Sequence, residues 1–252
     1  MRAAALLRVN AAYPAEVQGR EDNYRARLGE ARLLLIFTPE LVLEGDPLER
    51  LRLLLPHVDV IQVRPKPVAR AQSAQLATDP PAEARATHDW TELVLDLVAD
   101  VEPDEGARPL IMVNDRVDVA MALQERGCAG VHLGQADLPT AEARALLGEN
   151  AIIGLSTHDL RDVAMTLDQP IDYLGFGPVF ASETKGYSQG RGAETAWVAS
   201  EAVSVPVFAI GGITPANATE LKSVGRAAVS SALLTAADPV EAALTLRSAL
   251  GA

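Results

Sequence analysis

Cysteine is nearly absent: the 252-residue sequence has one, Cys128, which excludes an internal disulfide framework and leaves a zinc or redox motif without companions. Aromatic residues are scarce as well, at 4%, so an apolar core has to be built from Ala, Val, Leu and Ile, the residues that fill the layered interior of an α/β barrel. Basic residues are outnumbered, with 22 Lys and Arg against 34 Asp and Glu and a net charge of −12. That balance excludes nucleic acid as a partner class, because binding a phosphate backbone takes an excess of clustered cations. Any phosphate site is therefore local. No uncharged run approaches the ~18 residues of a membrane span. The early segment mixes Arg20, Arg25 and Arg27 with Glu16, Glu21 and Asp22, unlike an acid-poor transit peptide. The expectation is a cytoplasmic protein, with Cys128 a buried spectator.

What is present is a regular alternation. From Arg32 onward, short β-branched or Leu-rich runs alternate with longer segments of helical period, the pattern of parallel βα units. Eight such runs occur, at 33–37, 58–64, 110–114, 130–133, 152–156, 173–177, 205–210 and 227–231. Eight repeats predict closure into a single (β/α)8 TIM barrel spanning residues 31–252, with residues 1–30 as an N-terminal helical arm. A doubly wound sheet would carry a Gly-rich turn after its first strand, where this chain has Thr38-Pro39-Glu40. Helix starts are marked at Asp46-Pro47, Pro139-Thr140, Thr214-Pro215 and Asp238-Pro239, since proline in the first turn costs no hydrogen bond. One stretch breaks the rhythm. Residues 67–89, with Thr78-Asp79-Pro80-Pro81 inside, are expected to be an insertion, a lid or a plain surface loop, that delays the next helix until about Trp90.

Function in such barrels sits at the C-terminal strand ends, and here those ends are polar. The second strand runs Gln62-Val63-Arg64-Pro65-Lys66, and alternation sends Gln62, Arg64 and Lys66 the same way. The third and fourth end in Asn114-Asp115 and in His132-Leu133-Gly134-Gln135-Ala136-Asp137. Each Asp alone reads as a helix cap; together on adjacent strands, beside two cations, Asp115 and Asp137 suit Mg2+, which prefers carboxylate oxygens plus substrate phosphate. The sixth strand leads into Ser182-Glu183-Thr184-Lys185-Gly186, whose hydroxyls, amides and lysine suit phosphate. The seventh and eighth end in Gly211-Gly212 and Ser230-Ser231, where these barrels hold phosphate monoesters on backbone N–H groups. Two anion sites imply two phosphorylated substrates. No covalent nucleophile stands out, so electrostatic stabilisation of a departing group is the expected chemistry.

The series Gln-x-Arg-x-Lys, Val-Asn-Asp-Arg, Val-His-Leu-Gly-Gln-x-Asp, Gly-x-Ser-x-His, Gly-Pro-Val-Phe, Thr-Lys and Ile-Gly-Gly-Ile-Thr, in this order over about residues 33–234, resembles the thiamine phosphate synthase family. The resemblance implies a transferase of thiamine biosynthesis that joins hydroxymethylpyrimidine diphosphate to thiazole phosphate and releases pyrophosphate, with Mg2+ as cofactor. It assigns Arg64, Lys66, Asn114 and Lys185 to the diphosphate, Gln62 to the neighbourhood of the pyrimidine, and Ser156 to the pyrimidine amino group. Ser156, Lys185 and Arg64 are the expected catalytic residues. Ser182 and Thr184 line the loop, Gly211, Gly212, Ser230 and Ser231 take the thiazole phosphate, and Asp115 and Asp137 bind the metal. His132 and His158 read first as structural hydrogen-bonders. The eighth strand is short by about two residues, and Arg226 within it is a candidate aid to the phosphate. The alternatives are a thiazole tautomerase, whose relatives lose the metal and diphosphate residues, and a non-catalytic regulator that binds thiazole or thiamine phosphate. The sequence leaves homo-oligomer formation open.

Overall fold

Eight parallel strands close on themselves in chain order: β1 Leu33–Phe37, β2 Val60–Val63, β3 Leu110–Asn114, β4 Cys128–Leu133, β5 Ile152–Thr157, β6 Tyr173–Phe176, β7 Val207–Ile210 and β8 Ala227–Val229. They are drawn from a computed structural model that describes residues 24–66, 80–100, 108–181 and 189–251. The last pairing, β8 with β1, sets Ala227, Ala228 and Val229 against Leu33, Leu34 and Leu35. The (β/α)8 expectation therefore holds.

Strand alternation divides the core in two. Leu34, Ile36, Val60, Leu110, Met112, Ile152, Tyr173, Phe208 and Ala228 fill the barrel, while Leu33, Leu35, Phe37, Ile61, Val63 and Leu174 pack outward against the helices. Burial on both faces is why these strands read as continuous apolar runs. One irregularity resets this parity. A bulge between Ile111 and Met112 shifts the pairing of β3 with β4 at Gly130, whose positive φ of 154° and contact with the Ile152 backbone leave no room for a Cβ.

The outer shell comprises α1 Tyr24–Glu30, α2 Pro47–Leu54, α3 Pro80–Asp100, α4 Val117–Leu123, α5 Thr140–Leu147, α6 Leu160–Ala164, α7 Ala193–Glu201, α8 Ser231–Leu234 and α9 Pro239–Leu250. Two of the expected starts are capped by the residue before the proline. Asp46 accepts from Leu48 N, and Asp238 accepts from Val240 N and Glu241 N. Pro139 offers no side-chain cap, and the segment after Thr214-Pro215 forms only a 3-10 turn at Ala218–Leu221. The helix after β2 corrects the expectation for 67–89. It begins at Pro80 rather than near Trp90, because Pro80 and Pro81 sit in its first turn, where proline fits. Residues 67–79 lie outside the described residues, as do residues 1–23 of the expected arm.

The described part of that arm, α1, closes the N-terminal end of the barrel. Leu28 is buried there against the inner core, and Arg226 donates to Gly29 O at 2.5 Å. Arg226 immediately precedes β8, which puts it at the end opposite the strand termini. It cannot assist a phosphate at the mouth, and that expectation is corrected.

Candidate active site

A cavity of about 960 Å³, counting its open side, occupies the C-terminal mouth. Its wall includes Arg64 and Lys66 after β2, Ser156 on β5, Gly211 and Gly212 after β7, and Ser230 and Ser231 after β8. The fold thus brings together residues that are 167 positions apart at the extremes, Arg64 and Ser231. Ile36, Thr38, Leu41, His158 and Ile210 line it too, and none of these was expected in the wall. Their signal was parity: Ile36 and Ile210 are inward positions near the ends of β1 and β7.

Gly211 and Gly212 take positive φ values of 97° and 63°. A Cβ at Gly212 would stand 2.9 Å from Phe180 Cβ, and one at Gly211 would stand 2.7 Å from Pro178 Cβ. Glycine here is a requirement of both conformation and space, and it leaves the backbone amides bare. Ser230 donates its hydroxyl to Ile36 O at 2.8 Å, which ties β8 to β1 at the cavity rim.

The carboxylates form a second cluster beside Arg64 rather than part of the cavity wall. Asp115 follows β3 with φ 60°, a left-handed conformation that Asp tolerates better than most residues. Its amide donates to His132 O at 2.8 Å, and Asn114 Nδ2 donates to Asp115 Oδ2 at 2.5 Å. Asp137 Oδ2 accepts from Gly134 N at 2.6 Å. Neither carboxylate caps a helix, since α4 starts after Arg116 and α5 after Pro139. Burial, then the charge of Asp137 and a hydrogen bond with it, raises the Asp115 pKa to about 7, against the opposing pull of Asn114 and Arg64. Two carboxylates crowded together, one of them held back from ionising by the other and by burial, have the donor chemistry of a hard divalent cation site.

Deeper in the barrel, Gln62 does not reach the cavity. It is 3% exposed and hydrogen-bonds Tyr173, whose phenol burial pushes far above its ordinary range. Tyr173 was not foreseen as a polar participant. Its hydroxyl lies 2.9 Å from His132 Nδ1, and His132 Nε2 lies 2.8 Å from Ser156 Oγ. His158 accepts its structural reading in part, with Nδ1 3.0 Å from Gly177 O, but its ring also borders the cavity. Ser182, Thr184 and Lys185 lie outside the described residues.

Comparison with known proteins finds relatives of one family. The family model described as thiamine monophosphate synthase matches residues 33–233. The chain is 37% identical over 235 residues to the thiamine-phosphate synthase of Gloeobacter violaceus, covering 90% of this chain and 60% of that protein. It is 44% identical over 135 residues to the one from Synechococcus sp. (strain CC9605), covering 53% of this chain. There it spans only 38% of the relative's length. The solved thiamine phosphate pyrophosphorylase from Pyrococcus furiosus superposes with a TM-score of 0.67 at 29% identity, covering 90% of this chain and 97% of that one. The chain belongs to the thiamine monophosphate synthase family.

Proposed function

We propose that this barrel joins hydroxymethylpyrimidine diphosphate to thiazole phosphate, giving thiamine phosphate and pyrophosphate. The observation that carries the reading is the single cavity that unites Arg64 and Lys66 with Ser156, the Gly211-Gly212 amides and Ser230-Ser231. Arg64 and Lys66 hold the diphosphate, Asn114 and Lys185 assist them on the strength of the family resemblance, and Ser182 and Thr184 line the covering loop. Ser156 receives the pyrimidine amino group, and the amides of Gly211, Gly212, Ser230 and Ser231 receive the thiazole phosphate. The carbon–oxygen bond to the diphosphate breaks, the electron pair leaves with pyrophosphate, and the thiazole nitrogen lone pair forms the new carbon–nitrogen bond.

The crowding of Asp115 and Asp137 fits Mg2+, and these two would hold it. When bound, Mg2+ supplies positive charge that makes pyrophosphate a better leaving group. Arg64 and Lys66 work in the same direction by neutralising the leaving group, and Ser156 orients the ring so that the reacting carbon faces the thiazole.

A cytoplasmic setting belongs to the same proposal. Among the described residues no helix is long and apolar enough to cross a membrane. Cys128, the one cysteine, is buried with its thiol pushed up to about 12 by burial, which makes it an inert, structural residue.

The test is direct. Purified protein is mixed with both substrates, with and without Mg2+, and pyrophosphate and thiamine phosphate are measured. Product that requires both substrates and the metal supports the reading; product absent under every condition overturns it.

A further inference from the structure

Four side chains from four strands touch in series inside the barrel. Gln62 of β2 hydrogen-bonds Tyr173 of β6; the Tyr173 hydroxyl is 2.9 Å from His132 Nδ1 on β4, and His132 Nε2 is 2.8 Å from Ser156 Oγ on β5. Of the four, only Ser156 lines the cavity. The others are buried, 3%, 1% and 7% exposed for Gln62, Tyr173 and His132.

The neighbouring strands give up side chains to accommodate this chain. A Cβ at Gly154 would run into the Tyr173 ring, and one at Gly175 would stand 3.2 Å from His132 Cε1. Glycine inside a strand weakens it, and an interior needing only volume would be filled by apolar side chains. Phe208, edge-on to Tyr173 with ring centroids 5.6 Å apart, shows that an aromatic ring without a hydroxyl packs well in this layer. What distinguishes Tyr173 is the hydroxyl it delivers to His132.

We infer that Tyr173 is a positioning residue that acts through His132 to fix the direction of the Ser156 hydroxyl. The inference rests on the proposed placement of the pyrimidine against Ser156. Each contact in the series shares one proton. A neutral imidazole donates from one nitrogen and accepts at the other, so the proton shared by Tyr173 and Nδ1 selects the tautomer at Nε2. That tautomer decides whether Ser156 hands its proton to His132 or receives one, and hence which face of its oxygen meets the pyrimidine. A hydroxyl fixed before binding spares the entropy of fixing it afterwards.

The test uses the full-length enzyme. Tyr173→Phe keeps the ring between Gly154 and Phe208 and deletes only the hydroxyl. Its kcat/KM for the pyrimidine diphosphate is expected to fall about tenfold, the worth of one buried hydrogen bond with its orphaned partner. Its KM for thiazole phosphate stays within about twofold, and its melting temperature falls by only a few degrees, about what one lost buried hydrogen bond costs in a chain of this size. The double variant Tyr173→Phe, Ser156→Ala should be no worse than Ser156→Ala alone, because both changes break one series. Nitrogen-15 NMR of the His132 imidazole, assigned by comparison with His132→Gln among the four histidines, should pass from one tautomer to a mixture in Tyr173→Phe. Additive losses, or a Tyr173→Phe enzyme with full activity and an unchanged tautomer, would overturn the relay while leaving an impaired Ser156→Ala to support the proposed site. A Ser156→Ala enzyme with normal kcat/KM for the diphosphate would remove the pyrimidine from Ser156 and the relay with it.

Discussion

The two ends of the barrel use charge in opposite ways. At the N-terminal end, carboxylates are saturated by the protein itself. Asp59 accepts from the amides of Arg32 and Leu33 at 2.8 Å and from Arg247 Nη1 at 2.9 Å. Asp172 accepts from Arg144 and Arg25 at 2.6 Å and from the amide of Ile153 at 2.8 Å. At the C-terminal end Arg64, Lys66, Asp115 and Asp137 have no such ion pair among the described residues, and Asp115 has another carboxylate, Asp137, as its neighbour. Charge that is compensated internally holds strands and helices in place; charge left uncompensated at a cavity raises the energy of the empty protein and lowers that of the occupied one.

The sharpest way to break this contrast is to neutralise one charge at each end. Arg64→Ala is expected to lower kcat/KM by ~10²–10³, the range for removing a donor aimed at developing negative charge, with the melting temperature nearly unchanged. Asp172→Ala should do the reverse. It strands Arg144, whose side chain is 9% exposed, and costs about 3 kcal/mol, which in a chain of this size lowers the melting temperature by roughly 6–12 °C. Its kcat/KM at 25 °C should match the parent. Calorimetry and the pyrophosphate assay on both variants check the pair, and the contrast fails if Arg64→Ala melts early or Asp172→Ala is inactive while folded.

The barrel was legible in the sequence because the signal is local: each buried strand is a short apolar run, and eight of them admit few architectures. Arg64, Lys66, Gly211, Gly212, Ser230 and Ser231 were legible because function collects at strand ends, Ser156 only through the family resemblance, and the cavity wall contains all of them. What could not be read was what depends on partners across the barrel. Gln62, Arg64 and Lys66 share one parity, but depth separates them, and only the registers of β2 through β6 show Gln62 meeting Tyr173 instead of the cavity. Arg226 precedes the run at 227–231, so its place at the starting end was already set by residue order, and the expectation that it aids a phosphate overlooked this. Helix α3 was placed ten residues late, from Trp90 instead of Pro80, because consecutive prolines signal a turn as readily as a first helical turn.

Metal ions sharpen the comparison further. Mg2+ at a hundredfold excess over its dissociation constant should stabilise the folded protein by about 2.7 kcal/mol, read as a rise in melting temperature that Asp137→Asn abolishes. Asp115→Asn should abolish it too, while making the metal-free protein more stable, since Asn accepts a φ of 60° and carries no charge towards Asp137. The pH trend follows from the sign of the shift. With its pKa raised from 3.8 to about 7, folded Asp115 keeps a proton that the unfolded chain releases, so metal-free stability falls as pH rises from about 4 to about 7. Asp115→Asn should flatten that part of the curve, measured by urea denaturation at pH 5 and pH 8 without metal.

The smallest effect belongs to the closed end. Arg226 donates one hydrogen bond to Gly29 O at 2.5 Å, and its Nε is buried without a partner among the described residues. Arg226→Met keeps most of the buried stem while deleting both features at once. Losing the bond costs about 1 kcal/mol and relieving the orphaned donor returns a similar amount, so the melting temperature should move by only a few degrees. The KM for thiazole phosphate should not move at all, because α1 and the start of β8 lie at the opposite end of the barrel from Ser230 and Gly211. A change in that KM would show that the two ends are energetically coupled through β8, and the division of labour between them would then have to be abandoned.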